Sequence, residues 1–225
     1  MKALLFDLDG TLADTERQCA ESVARALAKV GRHVTDEERD FVIGRGWGDI
    51  YAKLVQAGGG SLSQTELIAT AATERERIVA DEGLVVLPGA IELLRAAAAR
   101  LPTTVVSGSS RGEIAACLRH LGIDALIRQY VGAEDVARGK PDPEGYLLGA
   151  RQLGVAPVDA VAIEDSTAGI AAAKAAGMVV VAVRAGNFAG QDQSGADLIV
   201  GTLSEVDLAS LTALHAQTYA VGRHA

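Results

Sequence analysis

The sequence predicts an α/β fold in which a parallel sheet, with helices on both faces, is interrupted early by an inserted helical domain. Along residues 84–225, short apolar runs alternate with stretches of helical periodicity, which is typical of the strand–helix units that build a parallel sheet. Residues 15–83 carry helical patterns alone, directly after a first strand. We therefore predict a Rossmann-like core domain formed by residues 1–14 and 84–225, and an α-helical cap domain formed by residues 15–83.

The first strand is predicted at residues 3–6, where a continuous apolar run is bounded by an Asp-rich turn. Such a run is typical of a strand that is buried on both faces of a parallel sheet. The insertion follows it. Cys19, Val23 and Leu27 recur at helical spacing, and Thr35 precedes three acidic residues in the manner of a helix N-cap. No strand is predicted within the insertion.

The remaining elements alternate in the order that parallel packing requires. Gly122, Gly154 and Gly177 follow helical stretches, as glycines commonly do at helix C-termini. The tail from residue 215 onward has no clear pattern, so we expect it to be loosely held. The predicted strands are 103–106, 130–132, 160–163, 178–183 and 198–200, and the predicted helices are 88–100, 111–121, 143–153, 168–176 and 203–214.

Two carboxylates, Asp7 and Asp9, follow the first strand directly. Side chains alternate along a strand, so both lie on one side, and at the strand's end both can reach one crevice above the sheet. Acidic groups this close repel each other unless one is protonated or a cation lies between them. Because Mg²⁺ prefers oxygen ligands and few carboxylates, the pair predicts a Mg²⁺ site. The alternative is an exposed Asp-rich turn.

Three later stretches bring further polar groups to predicted strand ends or the loops beyond them. Ser107 and Gly108, between a strand and a helix, are typical of a phosphate cradle, although a plain Ser-Gly turn has the same pattern. Lys140 precedes a rigid Pro-Asp-Pro turn, and its ammonium can either meet phosphate oxygens or lie in solvent. Glu164 and Asp165 follow another strand and point to opposite faces, so at most one is expected to be a direct metal ligand.

Together these groups predict a site for phosphoryl transfer. Asp7 would attack phosphorus and form an aspartyl-phosphate. Asp9 would protonate the leaving oxygen and later deprotonate the attacking water. Mg²⁺, Lys140, Ser107 and nearby backbone N–H groups would hold the phosphoryl oxygens.

The stretches FDLDGTLADT, VVSGSS, GKPDP and IEDSTAGI resemble, in this order, the four motifs of the haloacid dehalogenase-like superfamily. The chain is similar to the subgroup with a helical cap inserted after the first motif, which includes β-phosphoglucomutase and many sugar-phosphate phosphatases. The resemblance implies Asp7 as nucleophile, Asp9 as general acid and base, and Ser107 and Lys140 on the phosphoryl group. The metal ligands that it implies are the Asp7 carboxylate, the Asp9 backbone carbonyl and Asp165, with Glu164 beside the metal or behind its ligands.

Departures from the family's patterns bear on the choice of reaction. Relatives that cleave carbon–halogen bonds lack the acid at the position of Asp9, so its presence argues against dehalogenation. Relatives of β-phosphoglucomutase carry a histidine where this chain has Cys19, and a basic residue where it has Trp47, although Arg45 is nearby and could substitute for that basic residue. These differences favour a phosphatase acting on a small phosphorylated metabolite, a sugar or polyol phosphate, with a β-phosphoglucomutase-type mutase as the alternative. Substrate contacts are expected from Gly44, Arg45 and Trp47, although Trp47 can instead fill the core of the cap.

The composition of the chain limits which binding partners and which cellular compartment we expect for the protein. The chain has 225 residues, 49% of them hydrophobic, and its formal net charge of −8 argues against a nucleic-acid partner. No apolar stretch reaches membrane-spanning length, and Cys19 and Cys117 form no metal-binding spacing. We therefore expect a cytoplasmic enzyme with no membrane partner, acting as a monomer or a weak homo-oligomer.

Overall fold

A computed structural model describes residues 1–43, 45–58, 61–188 and 190–221 of the chain. Its strands are β1 (Ala3–Phe6), β2 (Thr103–Val106), β3 (Tyr130–Val131), β4 (Ala160–Glu164), β5 (Val179–Val183) and β6 (Leu198–Val200). Its helices are α1 (Thr15–Ala28), α2 (Asp36–Val42), α3 (Trp47–Tyr51), α4 (Gln64–Glu82), α5 (Ala90–Ala98), α6 (Arg111–His120), α7 (Glu144–Gln152), α8 (Thr167–Ala175) and α9 (Leu208–Val221), with a π-helical turn at Ala52–Gln56. None of these described helices is long and apolar enough to cross a membrane.

The chain forms two compact units. Met1–Ala13 and Val86–Ala225 form the first, here called the α/β unit, and Asp14–Val85 form the second, here called the helical unit. In the α/β unit the described strands make one parallel sheet in the order β3-β2-β1-β4-β5-β6. All residues of β1, β4 and β5 are buried, as expected for strands covered on both faces. The predicted α/β fold is confirmed.

The order of the strands decides where a ligand can bind. Chain order runs one way from β1 through β2 to β3, and the other way from β1 through β4 to β6. In open parallel sheets, the crevice for a ligand forms at the carboxyl ends of the strands where this order reverses. Here the reversal falls at β1, the strand that leads into the two predicted catalytic carboxylates.

The closing helix begins later than the sequence predicts. In place of a helix over residues 203–214, the structure has a 3-10 turn at Leu203–Glu205 and then α9 from Leu208. The reason is a local cap, because the carboxylate of Asp207 accepts the backbone N–H of Ser210 at 2.8 Å.

The expectation of a loosely held tail is wrong as far as Val221. α9 continues to that residue, and two of its side chains bind the rest of the α/β unit. The hydroxyl of Tyr219 donates to the carbonyl of Gly177 at 2.5 Å, and Nε2 of His215 lies 2.8 Å from the carbonyl oxygen of Val158. Contacts of this kind to distant loops carry no periodic signal in the sequence.

The helical unit has an apolar core of its own. Val23 and Leu27 of α1 lie in one buried cluster with Leu67 of α4. Thr35 is the N-cap of α2 and Ser63 is the N-cap of α4, and each forms a reciprocal capping box with a glutamate three residues later. No strand occurs in the described part of this unit, as the sequence predicts.

Candidate active site

The carboxyl ends of β1, β2 and β4 meet at one edge of the α/β unit, and each supplies a polar residue. Asp7 follows β1, and its backbone N–H donates to the Ile163 carbonyl of β4 at 2.9 Å. Ser107 follows β2, and Glu164 is the last residue of β4. Because β1 lies between β2 and β4, side chains from both neighbouring strands can reach Asp7.

Asp7 is a buried carboxylate with one oxygen paired and one unpaired. Its Oδ1 accepts a hydrogen bond from Nζ of Lys140, while its buried Oδ2 has no hydrogen-bond partner in the described part of the chain. Burial is the largest influence and raises the pKa of Asp7; the charges of Glu164 and Asp9 add to this rise, and Lys140 opposes it. A buried carboxylate oxygen without a donor is costly unless a cation or a ligand meets it.

Lys140 is held between two carboxylates. Its Nζ contacts Asp7 and lies 2.5 Å from Oε1 of Glu164, and its peptide bond to Pro141 is cis. Burial alone would lower the pKa of Lys140, but the charges of Asp7 and Glu164 outweigh burial and raise this pKa well above its ordinary value. The side chain is therefore a charged ammonium fixed by the protein, and the solvated loop lysine considered from the sequence is not what the structure has.

Glu164 is fully engaged by protein donors. The residue is completely buried, and its Oε1 accepts both Nζ of Lys140 and the hydroxyl of Tyr146, the latter at 2.8 Å. Its Oε2 accepts the N–H of Asp165 at 3.0 Å, the N–H of Ser166 at 3.1 Å and the hydroxyl of Ser166 at 3.0 Å. A carboxylate offers about four lone-pair sites, so these donors occupy the hydrogen-bond accepting capacity of Glu164. Glu164 thereby ties Lys140 to the turn after β4.

Tyr146 is a protonated donor in this arrangement. Burial raises the pKa of its hydroxyl well above the ordinary value, and the neighbouring charge of Glu164 raises this pKa further. The Nζ of Lys140 lies 5.3 Å from the centre of the Tyr146 ring, within the range of a cation–π contact. Tyr146 therefore touches both partners of the Lys140–Glu164 pair.

Asp9 is oriented by two hydroxyls from the loop after β2. Its Oδ2 accepts the hydroxyl of Ser107 at 2.8 Å and that of Ser109 at 2.7 Å. The N–H of Ser109 donates to Oγ of Ser107 at 2.9 Å, which fixes the two serines relative to each other. The structure thus places the Ser107 hydroxyl on Asp9, whereas the sequence predicts it on a phosphoryl oxygen.

Gly10 lets the loop after β1 approach Asp165. Its φ of +81° lies in the region that favours glycine, and a Cβ here would lie 2.3 Å from Oδ2 of Asp165. Asp165 is also held through its backbone, because Nε2 of Gln193 donates to its carbonyl oxygen at 2.6 Å and to the Val183 carbonyl at 2.8 Å. These contacts fix the Asp165 carboxylate close to the end of β1.

The acidic residues of the site fit a divalent cation. One carboxylate oxygen each from Asp7, Glu164 and Asp165 lie within 4.8 Å of one another. Lys140 supplies one positive charge to this cluster, so the carboxylates outnumber it. No described residue donates to Oδ2 of Asp7, so this oxygen can serve as a metal ligand, and carboxylate oxygens are the ligands that hard divalent cations prefer.

Gly169 is required by the position of Glu164. It lies in α8, and a Cβ there would lie 1.7 Å from Oε1 of Glu164, which its five hydrogen bonds prevent from moving away. We expect Gly169→Ala to lower the free energy of unfolding by about 1–3 kcal/mol, measured by denaturant titration.

The matched control is Gly112→Ala on α6, where, beyond the adjacent residues and the helix's own backbone, no atom of the described residues lies within 4 Å of the added carbon. There alanine is expected to change the free energy of unfolding by less than about 1 kcal/mol, in the stabilising direction. A Gly169→Ala protein as stable as the Gly112→Ala protein would contradict the place given to Glu164.

The remaining predicted residues fall in both units. Ser107, Gly108 and Lys140 line one cavity of about 190 Å³ in the α/β unit. In the helical unit, Arg45 is exposed. Trp47 is half-buried against the core of that unit, which agrees with the alternative prediction that it fills the core of the cap. The predicted contact Gly44 lies outside the described residues.

Sequence reasoning missed three residues that orient the site. Ser109 follows Ser107 by two positions, a spacing that could have indicated a second hydroxyl in the same loop. Tyr146 follows Lys140 by six positions, on the helix that this loop leads into. Gln193 lies in a loop 28 residues beyond Asp165, and no feature of the sequence marks it.

The fold and this set of side chains define a hydrolase of the haloacid dehalogenase-like class. The family model described as haloacid dehalogenase-like hydrolase matches residues 1–177, and the chain belongs to this family. The resemblance seen in the four motifs is thereby confirmed. Members of the family generally use a divalent metal.

Named relatives cover most of the chain. It is 35% identical over 206 residues to validoxylamine A 7'-phosphate phosphatase of Streptomyces hygroscopicus subsp. limoneus, covering 91% of this chain and 95% of that protein. It is 37% identical over 197 residues to hexitol phosphatase A of Escherichia coli K12, covering 82% of this chain and 83% of that protein. A solved structure from Thermotoga maritima, assigned as a β-phosphoglucomutase, matches with a TM-score of 0.76 at 29% identity, covering 89% of this chain and 94% of that one.

Proposed function

We propose that the protein is a Mg²⁺-dependent phosphatase that hydrolyses a small phosphorylated metabolite, a sugar or polyol phosphate, through an aspartyl-phosphate. The observation that carries the proposal is Asp7, a buried carboxylate at the end of the central strand. One of its oxygens accepts Lys140, and the other has no partner among the residues that the structure describes. A carboxylate so placed has an electron pair for phosphorus, and a fixed cation beside it offsets the charge of the substrate. The relatives named as a validoxylamine A 7'-phosphate phosphatase and a hexitol phosphatase support the substrate class.

The proposed reaction divides bond making, proton transfer and charge stabilisation among these side chains. Asp7 attacks phosphorus, and the bond from phosphorus to the leaving oxygen breaks as the bond to Asp7 forms. Asp9, held by two serine hydroxyls, gives a proton to the leaving oxygen and then takes one from the water that attacks the aspartyl-phosphate. This second attack releases phosphate and restores Asp7. Lys140 and the backbone N–H of Gly108 bind the phosphoryl oxygens that do not react, while the hydroxyl of Ser107 orients Asp9.

The proposed ligands of Mg²⁺ are the Asp7 carboxylate, the backbone carbonyl of Asp9 and the Asp165 carboxylate. Glu164 stands behind them, because protein donors already occupy its lone pairs. When bound, the ion offsets negative charge on the phosphoryl group. Gly10 contributes space, since it allows the loop that carries Asp9 to approach Asp165.

Removal of divalent metal is expected to abolish hydrolysis. In the described part of the chain, Lys140 is the one cation paired with these carboxylates, so without the metal they repel an anionic substrate. We expect the rate of phosphate release to fall at least about 100-fold after dialysis against EDTA, and to return when Mg²⁺ is added in excess. Full activity in protein shown to be metal-free by elemental analysis would contradict the proposed metal site.

A substrate panel tests the function as a whole. The assay is release of inorganic phosphate with Mg²⁺ across sugar and polyol phosphates, with Asp7→Asn as the blank. Strong preference for one compound would support the phosphatase and name its substrate. Absence of phosphate release from every compound, in protein that binds Mg²⁺, would contradict it.

The second candidate is a phosphosugar mutase, favoured by the similarity to the Thermotoga maritima structure assigned as a β-phosphoglucomutase. The panel therefore includes β-glucose 1-phosphate with a bisphosphate primer, and formation of glucose 6-phosphate is read alongside phosphate. Glucose 6-phosphate formed without free phosphate would identify the mutase.

The helical unit enters the proposal through its predicted role. Residues 15–83 are the predicted cap domain, and Gly44, Arg45 and Trp47 are its predicted substrate contacts. Arg45 is the better candidate of the two described residues, because it is exposed while Trp47 packs against the core of its own unit. We propose that the enzyme acts in the cytoplasm as a monomer or weak homo-oligomer, without a nucleic-acid or membrane partner.

A further inference from the structure

We propose that Tyr146 is a positioning residue of the site, and that its hydroxyl acts through Glu164 to keep Lys140 on Asp7. This inference rests on the proposed function, because it concerns the same lysine. Tyr146 itself lies behind Glu164 and is given no contact with the phosphoryl group.

Among the described residues, the hydroxyl of Tyr146 has one hydrogen-bond partner, the carboxylate of Glu164. Its side chain is completely buried in α7, and its hydroxyl donates to Oε1 of Glu164 at 2.8 Å. That same oxygen accepts Nζ of Lys140 at 2.5 Å. One carboxylate oxygen is therefore shared between the lysine that the reaction needs and a phenol that the reaction does not use.

Sharing this oxygen limits how strongly Glu164 attracts the lysine. A second donor draws electron density from Oε1, so the ammonium keeps its other partner, Oδ1 of Asp7. The carboxylate cannot rotate to compensate for a missing donor, because three hydrogen bonds from the turn after β4 hold its other oxygen. Without the phenol, Lys140 is the remaining donor to Oε1 among the described residues. Its Nζ already lies 2.5 Å from that oxygen, so we expect its hydrogen bond to Asp7 to weaken relative to the one to Glu164.

Tyr146→Phe isolates the hydroxyl. The ring remains, so the packing of α7 and the contact between the ring and the Lys140 ammonium are retained. The matched control is Tyr219→Phe on α9, which removes another tyrosine hydroxyl of the same unit. That hydroxyl donates to the Gly177 carbonyl rather than to a carboxylate. Both variants lose one hydrogen bond, but only one of them loses it at Glu164.

The experiment compares the two variants with the wild type in three measurements. With saturating Mg²⁺, kcat/KM for the preferred phosphate ester is expected to fall about 10–100-fold in Tyr146→Phe and to stay within about twofold in Tyr219→Phe. The affinity for inorganic phosphate, measured by calorimetry in Mg²⁺, is expected to fall in the first variant alone. Nitrogen-15 NMR of the Lys140 ammonium, which needs no turnover, is expected to show a slowly exchanging signal that shifts or broadens only in Tyr146→Phe.

The outcomes separate this inference from the proposed function. If the wild type hydrolyses no phosphate ester, the proposed function fails, and the NMR comparison alone decides the role of Tyr146. If Tyr146→Phe keeps its kcat/KM and the Lys140 signal while losing thermal stability to the same extent as Tyr219→Phe, the hydroxyl is merely structural and the inference is overturned.

A second variant covers the case in which Tyr146→Phe does not fold. Ser166→Ala removes a donor from Oε2 of Glu164 and loosens the same carboxylate from its other end. We expect the Lys140 ammonium signal to shift and kcat/KM to fall in this protein too. A folded Ser166→Ala protein with an unchanged lysine signal would overturn the inference, because Glu164 would then not be what positions Lys140.

Discussion

Asp7→Asn is expected to abolish phosphate release, with a fall in turnover of at least about 10⁴-fold. The asparagine side chain has the shape of aspartate, but its neutral amide oxygen is a poor nucleophile and a weaker metal ligand. Lys140 loses one of its two carboxylate partners and keeps Glu164, so the variant is expected to fold. Steady-state phosphate release with saturating Mg²⁺ measures the effect, and circular dichroism confirms the fold.

The control for Asp7→Asn is Asp159→Asn, the same change just before the first residue of β4. Asp159 pairs with Lys2 at 2.9 Å, at the end of the strand away from Glu164. Loss of this ion pair is expected to leave turnover within about twofold of the wild type. Acid-quenched wild-type enzyme should also carry phosphate from labelled substrate on the peptide that contains Asp7. An Asp7→Asn protein that retains more than a few per cent of wild-type turnover would contradict the nucleophile.

The position of the site could be predicted from the sequence because it follows from the architecture of a parallel sheet. Apolar runs mark the strands, and the carboxyl ends of parallel neighbours must share one edge. Asp7, Ser107 and Glu164 each follow or end such a run, so their convergence requires no knowledge of side-chain contacts. The structure has all three at that edge.

What each side chain contacts could not be predicted, because it depends on residues far away in the chain. The sequence around Lys140 is equally consistent with a solvated lysine. Its contacts with Asp7, 133 positions earlier, and with Glu164 are visible only in the structure. The sequence predicts Ser107 as a phosphate ligand, whereas in the structure its hydroxyl donates to Asp9. The sequence predicts Tyr146 on an ordinary amphipathic helix. Its role depends on the hydrogen bond from its hydroxyl to the buried Glu164, which the sequence does not reveal.

Asp9→Asn is expected to lower turnover of alkyl phosphates about 10²–10⁴-fold, the usual contribution of a general acid or base. Alkoxide leaving groups need a proton, and the two serine hydroxyls donate to Oδ2 of Asp9, which directs the carboxyl group while it carries that proton. The amide of asparagine can neither give nor take a proton, so both halves of the proposed reaction slow down. Phosphate release from the preferred substrate measures the loss, and a loss under about tenfold would contradict the role.

The leaving group separates the two tasks of Asp9. p-Nitrophenolate is a weak base and departs without a proton, so Asp9→Asn should still transfer phosphate from p-nitrophenyl phosphate to Asp7. The water that must follow lacks its base, and the aspartyl-phosphate should accumulate. Stopped-flow absorbance is therefore expected to show a burst of about one equivalent of nitrophenolate per enzyme, followed by slow turnover. No burst, with equal losses for both kinds of substrate, would mean that Asp9 acts on the attack by Asp7 itself and not through the proton it carries.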